Sequence, residues 1–190
     1  MKKILTIVLI GILLICICLS GCVNKEEEMR KQEEIRKQEE KRKREEIINA
    51  VKPLAKGTGA AEASSYKKNQ GIHPVVIIDN SGNIHTWNKD LPEEWKPKSI
   101  EKTELVAVIT KGEKSIQVCQ YTGPSVTRYQ NYIQIQLREA KTGNIVKTDT
   151  FYGSMPPQCK TRELYHVTAV YGTSISFDEF KPWLQKYVVL

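Results

Sequence analysis

The stretch YQNYIQIQLR, residues 129–138, decides the fold class of this chain. Alternate residues of an extended strand point to opposite faces, and here the two faces differ in polarity. One face carries the apolar residues Ile133, Ile135 and Leu137. The other face carries the polar residues Gln134, Gln136 and Arg138. Because a strand with one buried and one solvated face is typical of antiparallel sheets, the sequence predicts such a sheet here.

The sequence after this strand continues the same pattern. The turn residues Lys-Thr-Gly-Asn at 141–144 lead into a β-rich run at 145–152, which we expect to pair back as the next strand. Residues 163–170 are ambiguous between helix and strand. Val167 and Val170 favour a strand there, because β-branched residues fit a pleated surface.

Two hairpins are predicted before the central strand. The first joins β-rich runs at 74–78 and 84–87 through turn residues at 79–83. The second joins β-rich runs at 105–110 and 115–121 through turn residues at 111–114. With residues 163–170 included, these runs predict six or seven strands.

The end of the chain is predicted to be a helix. Ser176 and Glu179 form a capping-box signature. The apolar residues that follow at helical spacing are Phe177, Phe180, Trp183, Leu184 and Tyr187. The predicted fold class is therefore α+β, a mainly antiparallel sheet packed by a C-terminal helix. A β-sandwich with an appended helix is the alternative.

The stretch from Tyr129 to Cys159 resembles an uncharacterised bacterial extracytoplasmic domain. The motifs that carry the resemblance are LREAKTG at 137–143 and FYGSMPPQC at 151–159. The resemblance extends from His73 to Val188 and implies no known activity.

The N-terminus has the layout of an export signal. Lys2 and Lys3 precede an apolar run at residues 4–19. The run ends in Leu-Ser-Gly-Cys at 19–22, which resembles the lipobox of exported lipoproteins. In that family the cysteine receives a diacylglyceryl group and the signal is cut just before it. The resemblance implies a signal peptide at 1–21, a lipidated and palmitate-bearing Cys22, and a mature chain held at the extracytoplasmic side of a membrane.

An uncleaved signal anchor is the alternative reading of this segment. Residues 4–23 are long enough to span a bilayer core, which would make a single-pass membrane protein. More Lys and Arg residues follow the segment than precede it, and this asymmetry taken alone would place the domain in the cytoplasm.

A charged segment follows the signal. Residues 25–46, KEEEMRKQEEIRKQEEKRKREE, balance acidic against basic side chains and place several Glu residues four positions before Lys or Arg. Such pairs favour a solvated single helix, which we expect to form a lipid-anchored stalk over 22–52. A coiled-coil dimer is the alternative, but Met29, Ile35 and Ile47 keep no seven-residue repeat, so a monomer is favoured.

The sequence places the domain after the stalk. Residues 53–70 contain small and polar residues, such as Gly-Thr-Gly-Ala-Ala at 57–61, and are predicted to be a flexible linker. All Phe, Tyr and Trp residues lie at Tyr66 or beyond, so the globular domain is assigned to 71–190.

Cysteine usage also points to export. Cys16 and Cys18 lie within the signal, which leaves Cys119 and Cys159 in the domain. Two cysteines in an exported domain favour a disulfide.

No catalytic, cofactor or metal site is predicted. His73, His85 and His166 are isolated and lack metal-ligand or nucleophile-base spacing, and no phosphate-binding or Gly-x-Ser-x-Gly motif occurs. The net charge from residue 53 onward is too small to indicate nucleic-acid binding.

The remaining surface signal is aromatic and basic. A binding surface is predicted from residues with polar tips: Trp87, Trp95, Tyr121, Arg128, Tyr129 and Tyr132. The alternative is that they close the edges of the core.

Two function classes follow from this organisation. The first is a membrane-anchored module, without catalytic activity, that binds an envelope protein or a glycan. The second is a structural envelope spacer with a dimerising stalk.

Overall fold

The structure is a computed structural model that describes residues 2–68, 71–123, 125–161 and 167–189, with side chains described from Lys25 onward. The chain divides into two compact units, Met1–Arg44 and Glu45–Leu190.

The first helix, α1, spans Lys2–Val51. Its side chains at 25–46 are exposed, apart from the half-exposed Glu33. Predicted Glu–Lys/Arg pairs at a spacing of four form at Glu26–Arg30 (3.9 Å), Glu27–Lys31 (2.9 Å) and Glu33–Lys37 (3.4 Å). Within the part of the chain whose side chains are described, no helix is long and apolar enough to cross a membrane. The apolar segment at 4–23 lies outside that part.

The second unit is built on one mixed sheet, so the α+β class is confirmed. Among the described residues the sheet has five strands: β1 Val75–Asp79, β2 Leu105–Cys119, β3 Val126–Glu139, β4 Ile145–Tyr152 and β5 Ala169–Tyr171. The order is β1-β2-β3-β4, and β5 pairs with β3. The β2–β3 and β3–β4 pairs are antiparallel, whereas β1 runs parallel to β2 and β5 parallel to β3. The sheet is thus antiparallel at its centre, as the alternation in β3 predicted.

The second predicted hairpin is wrong. Residues 111–114 do not turn but continue β2, with Lys111 opposite Ile133 and Lys114 opposite Gln130. Gly112, which suggested the turn, lies opposite Tyr132 in the ladder. Pairing along the length of β3 outweighs the local turn preference, because each extra cross-strand pair adds hydrogen bonds and side-chain contacts.

The first predicted hairpin is correct only at its turn. Asp79 N–H donates to Asn83 O at 2.8 Å, but the return strand is reduced to one bridge between Ile78 and Ile84. Residues Thr86–Lys89 form a 3-10 helix instead. From that helix Asn88 bonds the backbone of Ile77, accepting from N–H at 2.9 Å and donating to the carbonyl at 2.5 Å. A side-chain amide therefore takes the place of a neighbouring strand. The described residues form five strands rather than the predicted six or seven, and residues 163–166 of the last predicted strand lie outside them.

One sheet face is covered by the second helix, α2, Phe177–Val188. The predicted capping box is confirmed, since Ser176 and Glu179 bond each other's backbone N–H. The side chains that form this first core cluster include Val75, Ile77, Leu105, Ala107, Ile109, Ile133, Ile135, Leu137, Phe180, Trp183 and Leu184.

The opposite face of β1 and β2 is also buried, and the segment that covers it corrects the predicted linker. Val51, Leu54, Ala60 and Ala63 pack there. Backbone bonds tie this segment down as well, with Ala60 N–H donating to Ala140 O at 2.8 Å. The compact unit therefore begins at Glu45 rather than at residue 71, because the second face of the sheet needs an apolar cover of its own.

Candidate functional site

Of the two predicted surface tryptophans, Trp95 lies in the core and Trp87 is half-buried against it. Trp95 is 3% exposed, and Trp87 stacks on Phe180 with ring centroids 5.2 Å apart. Trp95 belongs to the first core cluster, and Trp87 packs against that cluster. They close the edge of the core between the sheet and α2. This was the alternative to the predicted binding surface.

Arg128 is a buried clamp rather than a surface cation. Its side chain is 7% exposed, and its Nε and one terminal nitrogen each donate at 2.6 Å, to Pro157 O and Pro156 O. The other terminal nitrogen donates to the Gln117 side-chain carbonyl. The guanidinium therefore holds the segment 153–159, which we call the strap, against β2 and β3.

The predicted disulfide fastens the same strap. The Sγ atoms of Cys119 and Cys159 lie 1.99 Å apart, with Cα atoms 5.6 Å apart. Cys119 lies at the end of β2 and Cys159 at the end of the strap. The pairing agrees with the sequence prediction and leaves neither thiol free for nucleophilic chemistry.

The other end of the strap crosses the chain that follows β5. Thr173 N–H donates to Ser154 Oγ at 2.8 Å, and a Cβ on Gly153 would lie 1.8 Å from Thr173 O. Only glycine permits this approach. The FYGSMPPQC motif thus serves to attach the strap, because its glycine, serine, prolines and cysteine all make such contacts.

The predicted tyrosines separate onto two surfaces. Tyr129 and Tyr132 are three residues apart in β3, so they point to opposite faces of the sheet. Tyr129 stacks on Tyr171 at 5.3 Å, with the rings 18° from parallel. Tyr132 lies beside Tyr152 at 6.0 Å on the other face. Tyr121 joins neither pair, and its hydroxyl is buried without a hydrogen-bond partner among the described residues.

The face that carries Tyr132 and Tyr152 is the best candidate for a binding surface. It continues the second core face beyond its apolar cover, across β2, β3 and β4. We call the following exposed or half-exposed residues the open face: Thr110, Gly112 and Lys114; Gln130, Tyr132 and Gln134; Thr150 and Tyr152.

Strand register arranges the open face in rows. Gly112, Tyr132 and Tyr152 lie opposite one another in the middle row. A Cβ on Gly112 would come within 2.3 Å of the Tyr132 ring, so the phenol rests directly on the glycine. The glycine makes room for a ring that lies across the strands, and Tyr152, 54% exposed, extends the aromatic surface.

The only charge on the open face is positive. Lys114 is its single charged member, with Nζ 5.9 Å from the Tyr152 ring centroid. The carboxylates of the same strands, Glu113, Glu139 and Asp149, occupy positions of opposite parity and so belong to the other face. Sequence reasoning missed Lys114 and Tyr152, because only the pairing register of β2, β3 and β4 places them near Tyr132.

Two histidines are buried away from this face. His73 is 1% exposed, and its Nδ1 lies 2.7 Å from Glu104 Oε2. Burial, helped by the charge of Lys111, lowers the pKa of His85 below its ordinary value. His166 lies outside the described residues. The His73–Glu104 pair joins positions far apart in sequence, so no local spacing could have indicated it.

Within the described ranges, no group of three or more His, Cys, Asp or Glu side chains could hold a metal ion. Comparison with known proteins found no matching family model, curated protein or solved structure.

Proposed function

We propose that this chain is an extracytoplasmic lipoprotein, anchored through Cys22, whose domain binds an envelope component through the open face. The observation that carries the proposal is the pair of tyrosines on the open face: the Tyr132 and Tyr152 rings lie 6.0 Å apart, and Tyr132 rests on Gly112. We propose no catalytic role and no cofactor.

The anchor is supported by the sequence. A basic start, the apolar run at 4–19 and the Leu-Ser-Gly-Cys end have the order of a lipoprotein signal. The Cys119–Cys159 bond fits this location, because structural disulfides persist in oxidising compartments.

The stalk is proposed to be a monomeric spacer. Charged side chains at 25–46 are exposed on all sides of the helix. The exposed apolar residues Met29 and Ile35 are six positions apart, which separates them by about 120° around the helix at 100° per residue. They form no common seam, and so the spacer with a dimerising stalk has less support.

The open face is favoured over the opposite aromatic pair as the binding surface. Tyrosine supplies a large and rigid contact area together with a polar tip, and here two rings share a face with amides and hydroxyls. Tyr129 and Tyr171 instead stack almost flat on each other, so they bury part of their area between themselves.

Oxidative footprinting in intact cells tests the proposal. Tyr152 and Tyr171 are similarly exposed, 54% and 48%, and lie on opposite faces, so each is a reference for the other. In the native envelope we expect Tyr152 to be modified less than in purified protein, while modification of Tyr171 is unchanged. Equal modification ratios for the two tyrosines would refute a bound partner at the open face.

A further inference from the structure

We infer that the occupant of the open face is an extended acidic polysaccharide. This inference rests on the proposed function and adds the class of ligand. It follows from the shape, the side-chain chemistry and the charge of the face.

The shape favours a polymer. The open face is the pleated surface of three adjacent strands, with same-face side chains about 6.8 Å apart along a strand and strands about 4.8 Å apart. Small molecules bind in concave sites that enclose most of their surface, which three neighbouring strands do not form. A flat ligand that repeats along its length can instead contact several rows at once.

The side chains favour a sugar over a protein or a nucleic acid. The centre of a protein interface is apolar, but the open face contains no aliphatic side chain beyond its threonines. Nucleic acids require several cations, and the face offers only Lys114. Tyr132 and Tyr152 can pack against the C–H faces of pyranose rings, while Gln134 and the threonine hydroxyls can bond ring substituents.

The charge favours an acidic chain. Lys114 is held beside the Tyr152 ring, so a carboxylate on a sugar packed against that ring lies within reach of the ammonium. Glu113 and Asp149 lie on the opposite face and do not oppose it. A carboxylate-bearing ligand therefore meets an attractive charge, which no carboxylate of these three strands opposes from the same face.

Calorimetry with two defined oligosaccharides tests the inference on the purified full chain in detergent. The acidic probe alternates N-acetylglucosamine with glucuronate, and the neutral probe is an N-acetylglucosamine oligomer of equal length. We expect the acidic probe to bind more tightly. Tyr152→Ala should weaken binding of both probes by about tenfold, whereas Tyr152→Phe, which keeps the ring, should not.

Two matched variants complete the design. Tyr171→Ala removes a similarly exposed ring from the opposite face and should leave binding unchanged. Lys114→Gln should weaken binding of the acidic probe about threefold and leave the neutral probe unaffected, since a single exposed charge contributes little. Tryptophan fluorescence reports whether each variant is folded.

The results separate the ligand from the surface. If neither probe binds, or if Tyr171→Ala weakens binding as much as Tyr152→Ala, the polysaccharide inference is wrong. If Tyr152 is nevertheless protected in the envelope, the proposed function stands with another ligand. If Tyr152 is unprotected, the proposed function itself is wrong.

Discussion

Replacing Leu54 by alanine should destabilise the second unit by about 3 kcal/mol. The side chain is 0% exposed and packs against the face of β1 and β2 that lies opposite α2, so the change removes buried apolar atoms and leaves a cavity. Leu→Ala changes at fully buried sites cost roughly 2–5 kcal/mol. For a unit of this size we expect a fall of about 6–12 °C in the unfolding temperature. A flexible linker at this position predicts no change, so the variant tests directly where the domain begins.

Unfolding in urea, followed by tryptophan fluorescence, measures the effect. The three tryptophans all lie in the second unit and report only on it. Lys56→Ala is the matched control, since Lys56 is exposed in the same 3-10 turn and should change stability by less than about 0.5 kcal/mol. If Leu54→Ala is as stable as this control, the packing of the 51–63 segment against the sheet is refuted.

The remaining predictions concern the anchor, the disulfide and the buried arginine. Cys22→Ser should abolish incorporation of labelled fatty acid, whereas Cys18→Ser should not; equal labelling of both would contradict the anchor. Alkylation before lysis should find neither Cys119 nor Cys159 free, and replacing both by alanine should lower the free energy of unfolding by about 4 kcal/mol, as expected for a 40-residue loop. Free thiols in the native protein would contradict this. Arg128→Gln should destabilise by about 2–3 kcal/mol, because its carbonyl acceptors lose their donor, and should leave oligosaccharide binding unchanged. Weaker binding with unchanged stability would instead show that Arg128 is part of the binding surface.

The reasoning from sequence succeeded where the deciding interactions are local. The alternation in β3 predicted which of its residues are buried, as Ile133, Ile135 and Leu137 are. The turn before β4 contains Gly143 at a φ of 76°, a conformation that glycine adopts without strain. The capping box of α2 depends on residues three positions apart. Each of these features is determined within one turn or one strand.

The candidate site was only partly accessible from sequence. Tyr132 was identified, but the same prediction included Trp95 and Arg128, which are buried. Side-chain type indicates that a residue can bind a ligand, but not whether another part of the chain already covers it. The strap covers Arg128, and the contacts of the strap are made by residues about thirty positions further along the chain.

The sequence by itself determined the α+β class, the central strand, the C-terminal helix and the cysteine pairing, because periodicity, capping and cysteine number are properties of short segments or of composition. Only the tertiary structure decided that residues 111–114 continue β2, that β1 runs parallel to it, that the 51–63 segment covers the second face, and that Tyr129 and Tyr132 belong to different surfaces. The physical reason is that these outcomes depend on which distant segments bury each other's apolar side chains. That choice is made by the free energy of the whole packed unit rather than by the preference of any one stretch.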